Sequence, residues 1–429
     1  MSDQLDKNLN LNVRGLSLSA TLAINELSNS MIKQGKKVYK LGLGQSPFPV
    51  PQPVVDELKN NAFQKDYLPV RGLPALQSSI ADFYRKTQGI QFTPSSILIG
   101  PGSKELMFIL QLVYYGDLLI PSPSWVSYAP QAHIIGRHVS WIDTKEENGW
   151  LLTPEELDEY CSADSGKPRI LILNYPNNPT GNTYNAAELR ELADVARKHK
   201  ILLLSDEIYG ETNHEGDHVS IARYYPEGTI ISSGLSKWCG AGGWRLGVFA
   251  FPDKLSWLMD AMASVASETY TSTSAPIQYA AVRAFHLGLD IERYLVNSRK
   301  VLKSLGLHLY KLMTDAGISV CRPVGGFYMF PNFEKFRAQL ENRGIRTSVQ
   351  LCERLLAETG VAVLPGASFG RDKNELTARL AYVDFDGARA LAAVESMPKD
   401  YFPDEKFLKT YCLNNVEAIE KMTEWLKSL

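Results

Sequence analysis

From about residue 96 to residue 251 the chain alternates short apolar runs with amphipathic stretches. That is the pattern of strands alternating with helices over a mostly parallel sheet. The clearest runs are 97–99, 118–120, 170–173, 201–204, 229–231 and 248–251. Most are apolar without a break, as strands covered on both faces require, so the stretch predicts a doubly covered α/β core. Between two of the runs, Asn185 is placed to cap a helix on which Leu189, Leu192, Ala193 and Ala196 form one apolar stripe.

The flanks read differently. Residues 1–45 join a polar arm to the helix-like SATLAINELSNSMIKQG, and residues 291–429 mix long helices with a few short strands. The expectation is a large domain over 46–290 and a smaller α+β domain assembled from 1–45 and 291–429. The PFPVPQP run at 47–53 has the stiffness of an extended linker between them.

Composition narrows the function. At 429 residues, 45% of them apolar, the chain has material for two cores. With 45 basic against 47 acidic side chains and no basic cluster, binding to nucleic acid or to a membrane surface has no electrostatic support. The five cysteines are scattered and never form CxxC, which argues against a disulfide framework or a zinc site and fits a reducing cytoplasm. Neither a leader-like apolar core near the start nor an eighteen-residue apolar run is present. His214 and His218 fall in ETNHEGDHVS, which reads as a solvated polar turn, and no metal is assigned.

Ligands of open α/β sheets lie beyond the carboxyl ends of the strands, so the residues just after each apolar run carry the chemistry. After 97–99 comes GPGSKEL, where Gly102 and Ser103 open a helix through Leu106, Phe108, Ile109 and Leu112. The free N–H groups of its first turn favour an anion, although such a turn is also ordinary punctuation. After 118–120 comes PSPSWVSY, which puts Trp125 and Tyr128 on the same rim, for ring stacking or for core packing. After 170–173 comes NYPNNPTG with Asn178, and after 201–204 come Asp206 and Tyr209. A buried Asp206 needs a cationic partner, such as a pyridinium N–H, unless it merely caps a helix.

After 229–231 comes SSGLSK, ending on Lys237, with Arg245 eight residues further on in CGAGGWR. A lysine at such a rim can simply reach for water. Beside a phosphate-binding Arg245, and partly desolvated, its amine instead loses basicity and becomes a nucleophile. A primary amine for a Schiff base, a carboxylate for a ring nitrogen, and an arginine with a helix start for a phosphate are together what pyridoxal phosphate needs.

NNPTG, SDEIY, the SK…GWR spacing and PSWVSY resemble the fold type I, class I aminotransferases of the aspartate and aromatic superfamily. The resemblance extends in order through SATLAIN, KLGLGQSPFPVP, YLPVRGLPAL, PVGGFYMFP, LPGASFG and ARLAYV, nearly the whole chain. It implies that Lys237 carries the cofactor and then moves a proton, that Asp206 pairs with the pyridine nitrogen, and that Tyr209 and Asn178 contact the ring oxygen. Trp125 would stack on the ring. Gly102, Ser103, Lys104 and Arg245 would hold the phosphate, with Tyr67 reaching it from the neighbouring subunit of a homodimer. Arg379 would bind the substrate α-carboxylate, assisted by Asn178 and the backbone at Gly44.

Two positions depart from the family pattern. Gly234 stands where many members carry a phosphate-binding serine, which leaves Ser233 or Ser236 to serve, or no contact at all. The 270–281 stretch, where some relatives carry an arginine for a distal carboxylate, has none, and Arg71 is the candidate to supply that charge across the dimer interface; its alternative is an ordinary surface arginine. The expected activity is ping-pong transamination between an L-amino acid, aspartate or aromatic, and a 2-oxo acid such as 2-oxoglutarate. β-Elimination on the same frame and a non-catalytic cofactor-binding regulator are the alternatives.

Overall fold

The computed structural model describes residues 9–16, 18–164 and 166–429, so the first eight residues of the expected polar arm lie outside it. Seven strands form the main sheet: β1 (Ile97–Gly100), β2 (Asp117–Ser122), β3 (Val139–Asp143), β4 (Arg169–Asn174), β5 (Leu202–Asp206), β6 (Thr229–Gly234) and β7 (Gly247–Ala250). Their spatial order is β1-β7-β6-β5-β4-β2-β3. All neighbours pair in parallel except β7, which runs antiparallel to both β1 and β6.

β4, β5 and β6 are buried at every position, because helices cover both faces. One cover is the helix Ala186–Lys198, started by a capping box in which Asn185 and Glu188 bond each other's backbone N–H groups. Its buried residues are Leu189, Leu192, Ala193 and Ala196, the stripe the periodicity marks. β3 was not among the apolar runs. It is an edge strand in which only Val139 and Ile142 are buried, so it carries no continuous apolar stretch.

The helix after Gly102 spans Ser103–Val113 and so runs through Leu106, Phe108, Ile109 and Leu112 as expected, burying Leu106, Met107, Ile109 and Leu110 and leaving Leu112 exposed. Two expectations need correction. The PFPVPQP run is extended only through Pro51; the helix Gln52–Asn60 begins within it, because proline is well suited to a first helical turn. The ETNHEGDHVS segment is no solvated turn at its histidines. His214 is buried with Nε2 3.2 Å from the Gly326 carbonyl, and His218 Nε2 lies 3.0 Å from Glu207 Oε2 with both side chains buried.

The chain's two ends meet. Tyr39–Lys40 pairs in parallel with Val361–Ala362, and the Leu41 carbonyl accepts the Ala381 N–H at 2.8 Å. A three-stranded antiparallel sheet of Leu364–Pro365, Ala378–Ala381 and Tyr328–Met329 stands beside them. This second layer suspends Arg379 and Tyr328 over the carboxyl ends of the main sheet.

Candidate active site

A cavity of about 460 Å³ opens at those strand ends. Its walls include Gly44, Ser103, Lys104, Trp125, Asn178, Asp206, Tyr209, Ser236, Lys237, Arg245 and Arg379. Eleven residues predicted from sequence therefore converge on one space. Gly102 does not line it but abuts the Arg245 guanidinium that does, while Tyr67 and Arg71 stand apart from it: Tyr67 is 89% exposed and Arg71 is paired with Asp260 on the outer surface.

The floor is built from strand tips. Asp206 ends β5, fully buried, and its carboxylate accepts the Tyr128 hydroxyl at 2.5 Å and the Ser232 hydroxyl at 3.4 Å. Burial raises its pKa to about 6 against the pull of these donors. Asn174, at the end of β4, ties the floor together by donating to the Asp206 carbonyl and accepting the Asn178 N–H, both at 2.8 Å. The Asn178 turn closes on Gly181, whose φ of +72° and close approach to the Tyr328 carbonyl leave no room for a Cβ. Behind Asp206, Glu207 is buried as well, held by the hydroxyls of Ser205 and Ser220 and by His218.

Lys237 follows β6, and its Nζ donates to the Gly44 carbonyl at 2.7 Å. Burial first, then the charge of Arg379, lowers its pKa to about 8. The sequence pointed to Arg245 as the depressing charge. Arg245 contributes less than Arg379 because it is exposed and screened, whereas Arg379 is 1% exposed.

At one end of the cavity, Gly102 caps the helix Ser103–Val113 with a φ of +92°, and a Cβ there would strike the Arg245 guanidinium. Helix N–H groups and a guanidinium thus share one cup, an arrangement suited to a phosphate. Gly234 faces the Leu246 carbonyl too closely for any side chain, so the family's serine could not stand there. Of the two substitutes, Ser236 reaches the cavity and Ser233 does not line it.

The roof carries Arg379. Its guanidinium is sandwiched between the rings of Tyr328 and Phe369, at 4.9 and 5.2 Å, and donates to the Gly42 carbonyl and to Asn178 Oδ1. Among the described residues its Nε has no partner, and no acidic side chain is among the charges acting on it. A buried cation left in that state calls for an anionic ligand. Lys104 is a second cation, its Nζ 5.0 Å above the Trp125 ring, with burial and Arg245 lowering its pKa.

Reasoning from sequence missed the roof's Tyr328 and the floor's Asn174. Tyr328 lies in an apolar run that reads as core, and Asn174 stands at the very start of a turn whose later residues drew the attention.

An amine of lowered basicity, a buried carboxylate, a phosphate cup and an unpaired guanidinium around one cavity define a pyridoxal-phosphate site, and the residues present fit that cofactor. The profile of "Aminotransferase class I and II" matches residues 36–386. The chain is 34% identical over 395 residues to an aspartate aminotransferase of Geobacillus stearothermophilus, covering 90% of this chain and 95% of that one. It is 32% identical over 380 residues to an aspartate aminotransferase of Bacillus subtilis, covering 86% and 93%. The structure of aspartate aminotransferase from Thermus thermophilus with maleate superposes with a TM-score of 0.83 at 28% identity, covering 98% of this chain and all of that one. The chain belongs to the class I and II aminotransferases, and it is a pyridoxal-phosphate-dependent transaminase of fold type I.

Proposed function

We propose that the protein moves the amino group of L-aspartate to a 2-oxo acid, 2-oxoglutarate among them, in a cytoplasmic homodimer. With Arg245 kept for the phosphate and Lys237 for the aldehyde, the observation that carries the donor choice is the two remaining cations at the cavity: Arg379, buried with an Nε unpartnered among the described residues, and Lys104, poised over Trp125. A dicarboxylate matches two cations; a monocarboxylate leaves one of them idle.

Bound pyridoxal phosphate supplies an aldehyde that condenses with amines and a ring that withdraws electrons from the substrate Cα. The chain's own residues do the rest. Backbone N–H groups at Gly102, Ser103 and Lys104, with Arg245 and Ser236, hold the phosphate. Trp125 covers the ring face, Asp206 keeps the ring nitrogen protonated, and Asn178 and Tyr209 donate to the ring oxygen. Arg379 grips the α-carboxylate as a bidentate pair, with Asn178 and the Gly44 backbone beside it. Lys237, whose pKa of about 8 keeps a neutral fraction of its amine available at that pH, would take and give the Cα proton at Nζ.

Lys104 contributes its backbone to the phosphate and its side chain to the distal carboxylate. This moves the distal-carboxylate role from Arg71, which in this chain neutralises Asp260. Exposed Phe63, Tyr67, Leu18 and Leu22, the last on the cavity wall, favour a second copy covering the mouth, with the partner's Tyr67 over the phosphate. The division into 1–45, 46–290 and 291–429 belongs to the same reading, supported by the pairing of Tyr39–Lys40 with Val361–Ala362.

The test is a donor panel of L-aspartate, L-glutamate and L-phenylalanine with 2-oxoglutarate. Lys104→Met is expected to lower kcat/KM for aspartate about 10- to 100-fold relative to phenylalanine, as loss of one charged hydrogen bond predicts. Arg71→Ala is expected to leave the ratio unchanged; the reverse result would return the role to Arg71.

A further inference from the structure

Tyr328, on the roof, touches Tyr209, Gly44 and Arg379 and has no assigned part. Its hydroxyl lies 2.7 Å from the Tyr209 hydroxyl and 3.4 Å from the Gly44 carbonyl, and its ring backs the Arg379 guanidinium at 4.9 Å. The fit is close: a Cβ on Gly44 would overlap the Tyr328 hydroxyl. All of these atoms are buried or on the cavity wall.

The two hydroxyls bring one proton each to a short contact, so the contact has a direction. Two alternatives exist. Tyr209 can donate to Tyr328, which then donates to Gly44; or Tyr328 donates to Tyr209, which leaves the Tyr209 proton free for the cavity. The Gly44 carbonyl already accepts Lys237 Nζ at 2.7 Å, and it is the longer of the two contacts open to Tyr328. An anionic ring oxygen in the cavity would draw the Tyr209 proton outward. Both considerations favour the second direction.

We infer that Tyr328 is a positioning residue that donates its hydroxyl proton to Tyr209 and so commits the Tyr209 proton to the oxygen of the cofactor ring. This rests on the proposed contact between Tyr209 and that oxygen. A donor that is itself receiving a hydrogen bond is a stronger donor, so the Tyr328 proton makes the ring oxygen less basic at one remove. The charged and titratable groups facing the pair are Arg379, Asp206 and Lys237, and Tyr328→Phe leaves all three in place while keeping the ring against Arg379.

The experiment is a spectroscopic pH titration of the cofactor-loaded protein, following the visible band of bound pyridoxal phosphate in wild type, Tyr328→Phe, Tyr209→Phe and the double variant. A ring oxygen deprived of a donor holds the neighbouring proton more tightly, so each loss moves the midpoint upward. Tyr209→Phe is expected to raise it by about 1 to 2 pH units, the scale of a hydrogen bond to a charged group. Tyr328→Phe is expected to raise it by about 0.3 to 0.6 units, the share that network strengthening supplies. The double variant is expected to match Tyr209→Phe alone, because Tyr328 acts only through it.

A downward shift in Tyr328→Phe would mean that the contact runs the other way, and no shift or an additive one would mean that Tyr328 does not act through Tyr209; each overturns the inference. An unmoved midpoint in Tyr209→Phe would overturn the underlying contact, and the inference with it. Cofactor retention after dialysis, measured on the same samples, separates these outcomes from simple loss of binding.

Discussion

The floor and the roof of the cavity are built on opposite plans. The floor is strand-borne: Asn174, Asp206 and Lys237 stand at or just beyond the ends of β4, β5 and β6, three neighbours in one sheet. The roof is assembled from distant parts of the chain, with Gly42 and Gly44 from its beginning meeting Tyr328 and Arg379 from its last third. The floor's acid is satisfied by hydroxyls of its own sheet and rim, whereas the roof's cation waits with an unpartnered Nε. In the proposed function, the chemistry rests on the sheet-borne layer and recognition on the layer that segments from both halves of the chain complete.

The largest effect expected lies on the floor. Lys237→Ala removes both the anchor and the proton carrier, and turnover should fall by about 10⁴-fold, the upper range for a general acid and base. Steady-state assays with the best donor measure the loss. Borohydride trapping in wild type should map to Lys237, and an adduct at another amine would sink the division of labour.

Arg379→Lys tests the roof. It keeps the charge but loses the bidentate fork, so KM for donor and acceptor should each rise about 100-fold while kcat changes less. A dominant fall in kcat would show that the roof takes part in the chemistry and would blur the contrast.

The smallest effect joins the two layers. Burial and the roof's Arg379 hold the Lys237 amine down at about 8, and only the neutral amine attacks an aldehyde. The neutral fraction grows as pH rises through the folded pKa, so apo-protein should capture pyridoxal phosphate faster with a midpoint near pH 8. Stopped-flow mixing across pH reads this directly. A midpoint near the ordinary lysine value would mean that neither burial nor the roof acts on the amine.

How much of this was legible in the sequence follows the same divide. Asp206 and Lys237 on the floor could be read because each follows an apolar run, and parallel strands present their carboxyl ends on one side, while Asn174 was passed over for the later residues of its turn. Arg379 was found only through the family resemblance, since nothing local to ARLAYV marks an arginine as facing a pocket. Tyr328 escaped because FYMF reads as core, which it also is: the residue is buried and still touches the cavity. The two histidines misled in the other direction. Their polar neighbours suggested water, while long-range contacts to Gly326 and Glu207 bury them.

The sequence by itself determined six of the sheet's seven strands, the Asn185 cap and the chemical inventory, because strand runs, the capping box and the position of Lys237 after β6 depend on near neighbours along the chain. Only the tertiary structure decided which charge acts most on Lys237, that Lys104 Nζ lies over Trp125, and that the Tyr328 hydroxyl meets that of Tyr209. Those outcomes turn on burial and on pairings such as Leu41 with Ala381, and electrostatic strength in a protein is set by what surrounds a charge in space.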